Sequence, residues 1–213
     1  MQAPQSIETP RSERSAADTG PAGDDPDAGL LARFAAGDGA AARALTEGLG
    51  TKSYRLAVRV LGDTAEAEDV AQEAMMRLWR IAPDWEPGAA KVGTWLYRVT
   101  LNLCLDRKRK RPDNRHMALD AIAEPADPAP GADARLQAAD RATALQAALM
   151  SLPERQRQAV VLRHIEGLAN PEIAAIMELS VEAVESLTAR GKRALSGRLA
   201  GRKSELGYEH DDG

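Results

Sequence analysis

The 213-residue sequence is poor in the residues that staple, coordinate or stack: one cysteine, three histidines and seven aromatics. A lone cysteine excludes an internal disulfide and any cysteine-cluster zinc site, and it fits a reducing cytoplasm. Aromatics at 3% of the chain are too few for a β-sandwich or barrel, whose strands lean on Tyr, Phe and Trp. No apolar run reaches the roughly 18–20 residues of a membrane span. Residues 1–29 lack the apolar stretch of a signal peptide, so no membrane insertion is expected. His116 and His164 stand apart from any ligand set, so neither a metal nor another cofactor is expected. What is plentiful is alanine, leucine, arginine and glutamate, all good helix formers. These features predict an all-α cytoplasmic protein.

The net charge of −4 conceals a partition. Residues 1–29, 112–133 and 205–213 are each −4, whereas 30–111 and 134–204 are each +4. Residues 1–29, rich in Pro, Ser, Ala, Gly and Asp without periodicity, read as a disordered acidic tail. Pro112, Pro125, Pro128, Pro130 and Gly131 mark 112–134 as a flexible linker. The expected organisation is two small helical domains, 30–111 and 135–204, on an acidic tether, with a second acidic tail at 205–213. Two basic modules of this size point to nucleic acid, although +4 is also an ordinary solvated charge. Where the bases lie matters more than how many there are.

In the first module, Leu30–Ala36 reads as a helix broken at Gly37-Asp38-Gly39, followed by a second through Leu45 and a third over about 52–61. Asp63-Thr64-Ala65-Glu66 reads as a capping box opening a fourth helix that runs to about Ile81. Its Ala67, Ala71, Ala74 and Leu78 share one side, and Glu66, Asp69 and Glu73 share a neighbouring one. Glu73 has Arg77 four residues on, which is ordinary surface pairing. The like-charge neighbours cost a few tenths of a kcal/mol per pair on an isolated helix, and a basic partner surface would remove that cost. A fifth helix from about Thr94 places Arg98, Asn102 and Asp106 on one stripe, with Trp95 and Arg109 beside it, and leads into Arg107-Lys108-Arg109-Lys110-Arg111. Bases stack on aromatics, basic runs hold phosphates and amides pair with base edges, so this stripe is a candidate nucleic-acid surface. Trp79 and Tyr97 read as core, and Cys104 as a small buried hydrophobe rather than a sensor.

In the second module, 135–150 reads as an amphipathic helix, and Pro153 suits the first position of the next. A short helix from Asn170, a turn at Glu178-Leu179-Ser180 and a longer helix from Val181 have helix-turn-helix spacing. Ser180 is a good N-cap. Glu178 stands where such a turn commonly has glycine for a positive φ. Val181, Val184, Leu187, Gly191 and Leu195 share the inner side of the long helix, and Glu182, Ser186, Arg190 and Arg193 the outer, with Glu185 on its flank. A carboxylate on a reading face has one favourable use, accepting a hydrogen bond from the cytosine amine. Pointing to solvent or towards Lys192 is the alternative.

The segments "LLARFAAGDGAAARAL", "AEDVAQEAMMRLWR" and "TWLYRVTLNLCLDRKRKR" resemble region 2 of the extracytoplasmic-function (ECF) sigma factors of bacterial RNA polymerase. "ALMSLPERQRQAVVLRHIEGLANPEIAAIMELSVEAVESLTARGKRAL" resembles their region 4, and the two come in the family's order. The resemblance implies an alternative sigma factor, not itself an enzyme, that binds core polymerase at the β′ clamp helices and β flap and directs promoter recognition and −10 melting. It implies that Asp69, Gln72 and Glu73 dock on the clamp helices and that Trp95, Asn102 and Asp106 capture unpaired −10 bases, where Arg98 and Arg109 of the same stripe are candidates with them, the Trp85–Gly93 loop helping to fix specificity there. It places Ser186 and Arg190 on the −35 side, where Glu182 and Arg193 on the same outer side and Glu185 on its flank are candidates with them, and it implies an anti-sigma factor as a further partner. Ala183, Glu185 and Leu187 depart from the Thr, Lys or Arg, and Arg that the family often carries. A helix-turn-helix regulator acting without polymerase would use 135–204 but leave Glu66–Glu73 and the Trp95 stripe without purpose.

Overall fold

The computed structural model describes residues 25–88, 90–110 and 132–200, the last of these by backbone alone up to 136. The expected tails therefore lie largely outside the described residues, as does the linker up to Gly131. Helix α1 (Pro26–Ala35) starts four residues before the expected module boundary at Leu30. The cause is local. Asp25 accepts a hydrogen bond from Asp27 N–H at 3.2 Å, and Pro26 supplies the fixed φ suited to a first helical position. The other oxygen of Asp25 accepts from Val92 N–H at 2.8 Å, at the start of a distant helix. One aspartate thus satisfies two helix N-termini.

Asp38 caps α2 (Gly39–Leu45) and pairs with Arg33 at 2.6 Å. The sequence predicts a break between Leu45 and residue 52, but none occurs. The backbone passes through one π turn, Thr46–Gly50, directly into α3 (Thr51–Leu61). Gly50 keeps ordinary helical angles (φ −61°, ψ −45°), and Leu45 and Leu49 are both buried, so packing outweighs the weak helix propensity of glycine. Gly62, at φ 73°, ends α3 in the left-handed conformation that glycine adopts freely. Asp63 then accepts from Glu66 N–H at 3.0 Å and opens α4 (Thr64–Ile81), as expected. A short 3-10 turn and a loop lead to α5 (Val92–Lys110). Leu31, Leu56, Val60, Ala67, Leu78 and Leu96 form the centre of the first module. The Thr100 and Ser53 hydroxyls meet at 2.7 Å between α5 and α3. Trp79 packs on Phe34 with ring centroids 4.3 Å apart, and Tyr97 is buried, so both lie against the core as expected.

The second module comprises α6 (Ala132–Met150), α7 (Glu154–Val160) with a π turn over Val161–Ile165, α8 (Asn170–Met177) and α9 (Val181–Ala200). Helix α6 begins at Ala132, inside the stretch expected as linker. The Ser180 hydroxyl accepts from Ala183 N–H at 3.2 Å and caps α9. Val184 and Gly191 are buried on its inner side. Gly191 is a contact point between helices. A Cβ there would lie 2.5 Å from Val160 Cγ2 and 3.3 Å from the Gln156 carbonyl oxygen. Gly191→Ala is therefore expected to lower the melting temperature by several degrees, since overpacking costs about 1–3 kcal/mol against roughly 1 kcal/mol gained in helix propensity. Gly197→Ala on the same helix, with nothing within 4 Å, should raise it slightly. Melting followed by circular dichroism distinguishes the pair, and equal shifts would refute the close approach.

The modules do not stand apart. Helix α3 packs on α6 and α5 on α8. Gln146, 2% exposed, donates to the Val58 carbonyl at 3.1 Å and accepts from Arg59 at 3.3 Å. Met150 covers Gly62 so closely that a Cβ would meet its sulfur at 2.9 Å. Among the described residues no helix is long and apolar enough to cross a membrane.

Candidate functional site

Helices α4 and α5 lie side by side and present the two groups of residues singled out in the first module. Asp69 and Gln72 are exposed on α4 and Glu73 is half-buried. The two carboxylates are not left facing each other. Arg107 of α5 donates to Asp69 at 3.0 Å, and Arg77 donates to Glu73 at 2.8 Å. The like-charge cost expected on an isolated helix is thus offset within the chain. Asp69, Gln72, Glu73 and Asp106 line one open groove of about 360 Å³ between the helices. Met76, 46% exposed, lies in the same groove and adds an apolar patch beside the acids. Sequence reasoning passed over Met76, which lies about 100° round the helix from the buried Met75.

The stripe on α5 borders two hollows. Arg98, Asn102, Asp106 and Arg109 are exposed, and Asp106 approaches Arg109 at 3.6 Å. Asp106 belongs to the groove shared with α4. Asn102 and Arg109 line a separate crevice of about 540 Å³ that faces Glu154 and Glu178 of the second module. Trp95 is half-buried, its ring set edge-on to Trp85 at 6.1 Å and 82°. Its support comes from the loop residue Trp85, which fixes the ring at the α5 N-terminal end. Cys104, fully buried beneath this stripe, has its thiol pushed up to about 12 by burial and is protonated at neutral pH.

On α9, Glu182, Glu185, Ser186, Arg190 and Arg193 are all exposed on the outer side. The carboxyl of Glu182 is held below its ordinary value by its own backbone N–H and by the Ser180 hydroxyl. Glu185 accepts from Asn170 Nδ2 at 3.3 Å, a tie to the first helix of the pair that its sequence neighbours do not reveal. Arg190 and Arg193 donate back to carbonyls one turn earlier, at 3.2 and 3.4 Å. The turn keeps the helix-turn-helix conformation with a glutamate in it. Glu178 adopts φ 54°, ψ 51°, and its carboxylate pairs with Arg98 of α5.

A two-helix groove of mixed charge, a mixed aromatic and amide stripe and a separate helix-turn-helix face are thus carried on one chain. Comparison with known families matches Sigma-70 region 2 to residues 47–112 and Sigma-70 region 4 to residues 142–195. The chain is 31% identical to the ECF RNA polymerase sigma factor SigW of Bacillus subtilis over 157 residues, covering 70% of this chain and 83% of that protein. The chain belongs to the ECF family of RNA polymerase sigma factors. It is 42% identical over 158 residues to the ECF sigma factor SigE of Mycolicibacterium smegmatis, a match that covers 71% of this chain and 59% of that relative's length. Among solved structures it is similar to CnrH in complex with the cytosolic domain of CnrY, with a TM-score of 0.61 and 27% identity over 82% of this chain and 97% of that one. As an ECF sigma factor it is an alternative sigma subunit that engages core polymerase and promoter DNA in transcription initiation.

Proposed function

We propose that the labour of initiation is divided among the three surfaces just described. The α4 face with Asp69, Gln72 and Glu73 docks on the basic β′ clamp helices of core polymerase. The α5 stripe with Trp95, Arg98, Asn102, Asp106 and Arg109 receives unpaired −10 bases and phosphates. The outer side of α9, with Glu182, Glu185, Ser186, Arg190 and Arg193, enters the −35 major groove while the second module rests on the β flap. The observation that carries this reading is the shared groove in which the α4 carboxylates meet Asp106 of the DNA stripe. In such an arrangement a clamp helix seated on α4 lies directly beside the melted strand.

The sigma subunit makes and breaks no bond itself and acts in the cytoplasm, where it is restrained by an anti-sigma factor. The likeness to CnrH bound to the cytosolic domain of CnrY supports a protein partner of that kind. The test is co-purification with core polymerase followed by run-off transcription. The chain should be retained by core enzyme and should start transcripts that core alone does not start. DNA binding without retention on core would instead identify a helix-turn-helix regulator acting by itself.

A further inference from the structure

We propose that Asn170 and Glu185 form one reading unit that selects a cytosine in the −35 element: Glu185 accepts a hydrogen bond from the base, and Asn170 holds its carboxylate in place. This role rests on the outer side of α9 being the −35 face. Glu185 lies one turn into α9, where a recognition helix meets base edges. The helix is fixed there by the Ser180 cap at its start and by Val184, fully buried in the module. Lys192 is seven residues on, too far for a good helical pair. The donor that reaches the carboxylate comes from the other helix of the turn. Asn170, the first residue of α8, donates from Nδ2 to Glu185 Oε1 at 3.3 Å.

The amide can stand only one way round. Asn170 Oδ1 is buried with no hydrogen-bond partner among the described residues, and turning the amide over would set that oxygen against a carboxylate. With Oε1 of Glu185 engaged, Oε2 is left to accept on an exposed helix face. A tethered side chain also gives up less rotamer freedom on meeting DNA than a loose one. The major-groove edges then decide which base it takes. Guanine and thymine offer acceptors, which a carboxylate repels. Adenine sets the N7 acceptor beside its N6 donor, so one oxygen is attracted and the other repelled. Cytosine presents a donor alone. Repulsion between Glu185 and the DNA phosphates is offset by Arg190, Lys192 and Arg193, all exposed further along the same helix.

The test selects promoters from a library randomised over both elements, using holoenzyme assembled from the full chain and core polymerase. The parent should enrich a cytosine at one −35 position by on the order of tenfold over the other bases. Glu185→Gln carries a donor and an acceptor, the pattern that pairs with adenine N6 and N7, so it should move the preference at that position from cytosine to adenine. Asn170→Ala should flatten the cytosine preference to less than about threefold. Asn170→Asp keeps the shape but replaces the donor with an acceptor, and it should flatten the preference in the same way. In all three variants the −10 preference and retention on core polymerase should match the parent. A Glu185→Gln holoenzyme that binds every sequence more tightly without changing that position would leave Glu185 as a flank charge and overturn the reading unit. Unchanged selection by both Asn170 variants would overturn it equally. A parent that enriches a −10 element but no −35 element would overturn the reading of α9 as well, whereas a −35 element that keeps its cytosine in the Glu185 variant overturns only the unit.

Discussion

Asp69→Lys with Glu73→Lys is expected to abolish co-purification with core polymerase and leave the helical circular dichroism unchanged. Both side chains lie on the surface of α4, 62% and 34% exposed, and neither contributes to the core. Their internal partners Arg107 and Arg77 would each lose an exposed ion pair, which costs about 0–1 kcal/mol. The fold survives that loss. Binding does not, because a basic partner helix would meet two ammonium groups where it had met carboxylates. Removing one member of a buried charge pair at an interface costs about 2–5 kcal/mol, and reversal adds repulsion. Two such changes correspond to a loss of well over a hundredfold. Retention of the folded double variant on core polymerase would sink the assignment of this face.

Asn102→Ala and Asp106→Ala should each reduce open-complex formation at a cognate promoter by about ten- to hundredfold, because each lost base contact is worth roughly 1–3 kcal/mol. Both side chains are exposed, so neither change disturbs packing. The two residues share one face of α5 but border different hollows, which separates the consequences. Asn102 faces the crevice next to the second module, so its loss should leave core binding intact. Asp106 shares the groove with Asp69 and Glu73, so its loss should weaken core binding slightly in addition. Permanganate reactivity of unpaired thymines reads melting, and retention on core polymerase reads docking. Parent-like melting by both variants would reduce the stripe to an ordinary surface.

The candidate faces were legible because their signals are periodic. Asp69, Gln72 and Glu73 recur at helical spacing on one face, as do Arg98, Asn102 and Asp106, and the structure exposes all of them except the half-buried Glu73. The Asp63 and Ser180 caps were legible because capping depends only on a side chain and the backbone three residues ahead. The break expected between Leu45 and residue 52 failed because buried Leu45 and Leu49 hold the backbone helical through the glycines. The module start at Leu30 failed because Asp25-Pro26 is a helix opening hidden in an acidic stretch rich in Pro and Gly.

The sequence by itself determined the helical class, the caps at Asp63 and Ser180, the two-module order and which charged and amide residues share an exposed helix face, since the local features follow from neighbours within one or two turns. Tertiary structure alone decided how the modules join and which charges are matched. Asp69 finds Arg107 across 38 residues, Arg98 finds Glu178 across 80 and Gln146 finds the Val58 carbonyl across 88. No periodicity encodes such pairs. They follow from which helices lie side by side, and a local pattern of charges is the same whether its partner is solvent, another protein or the far end of the same chain.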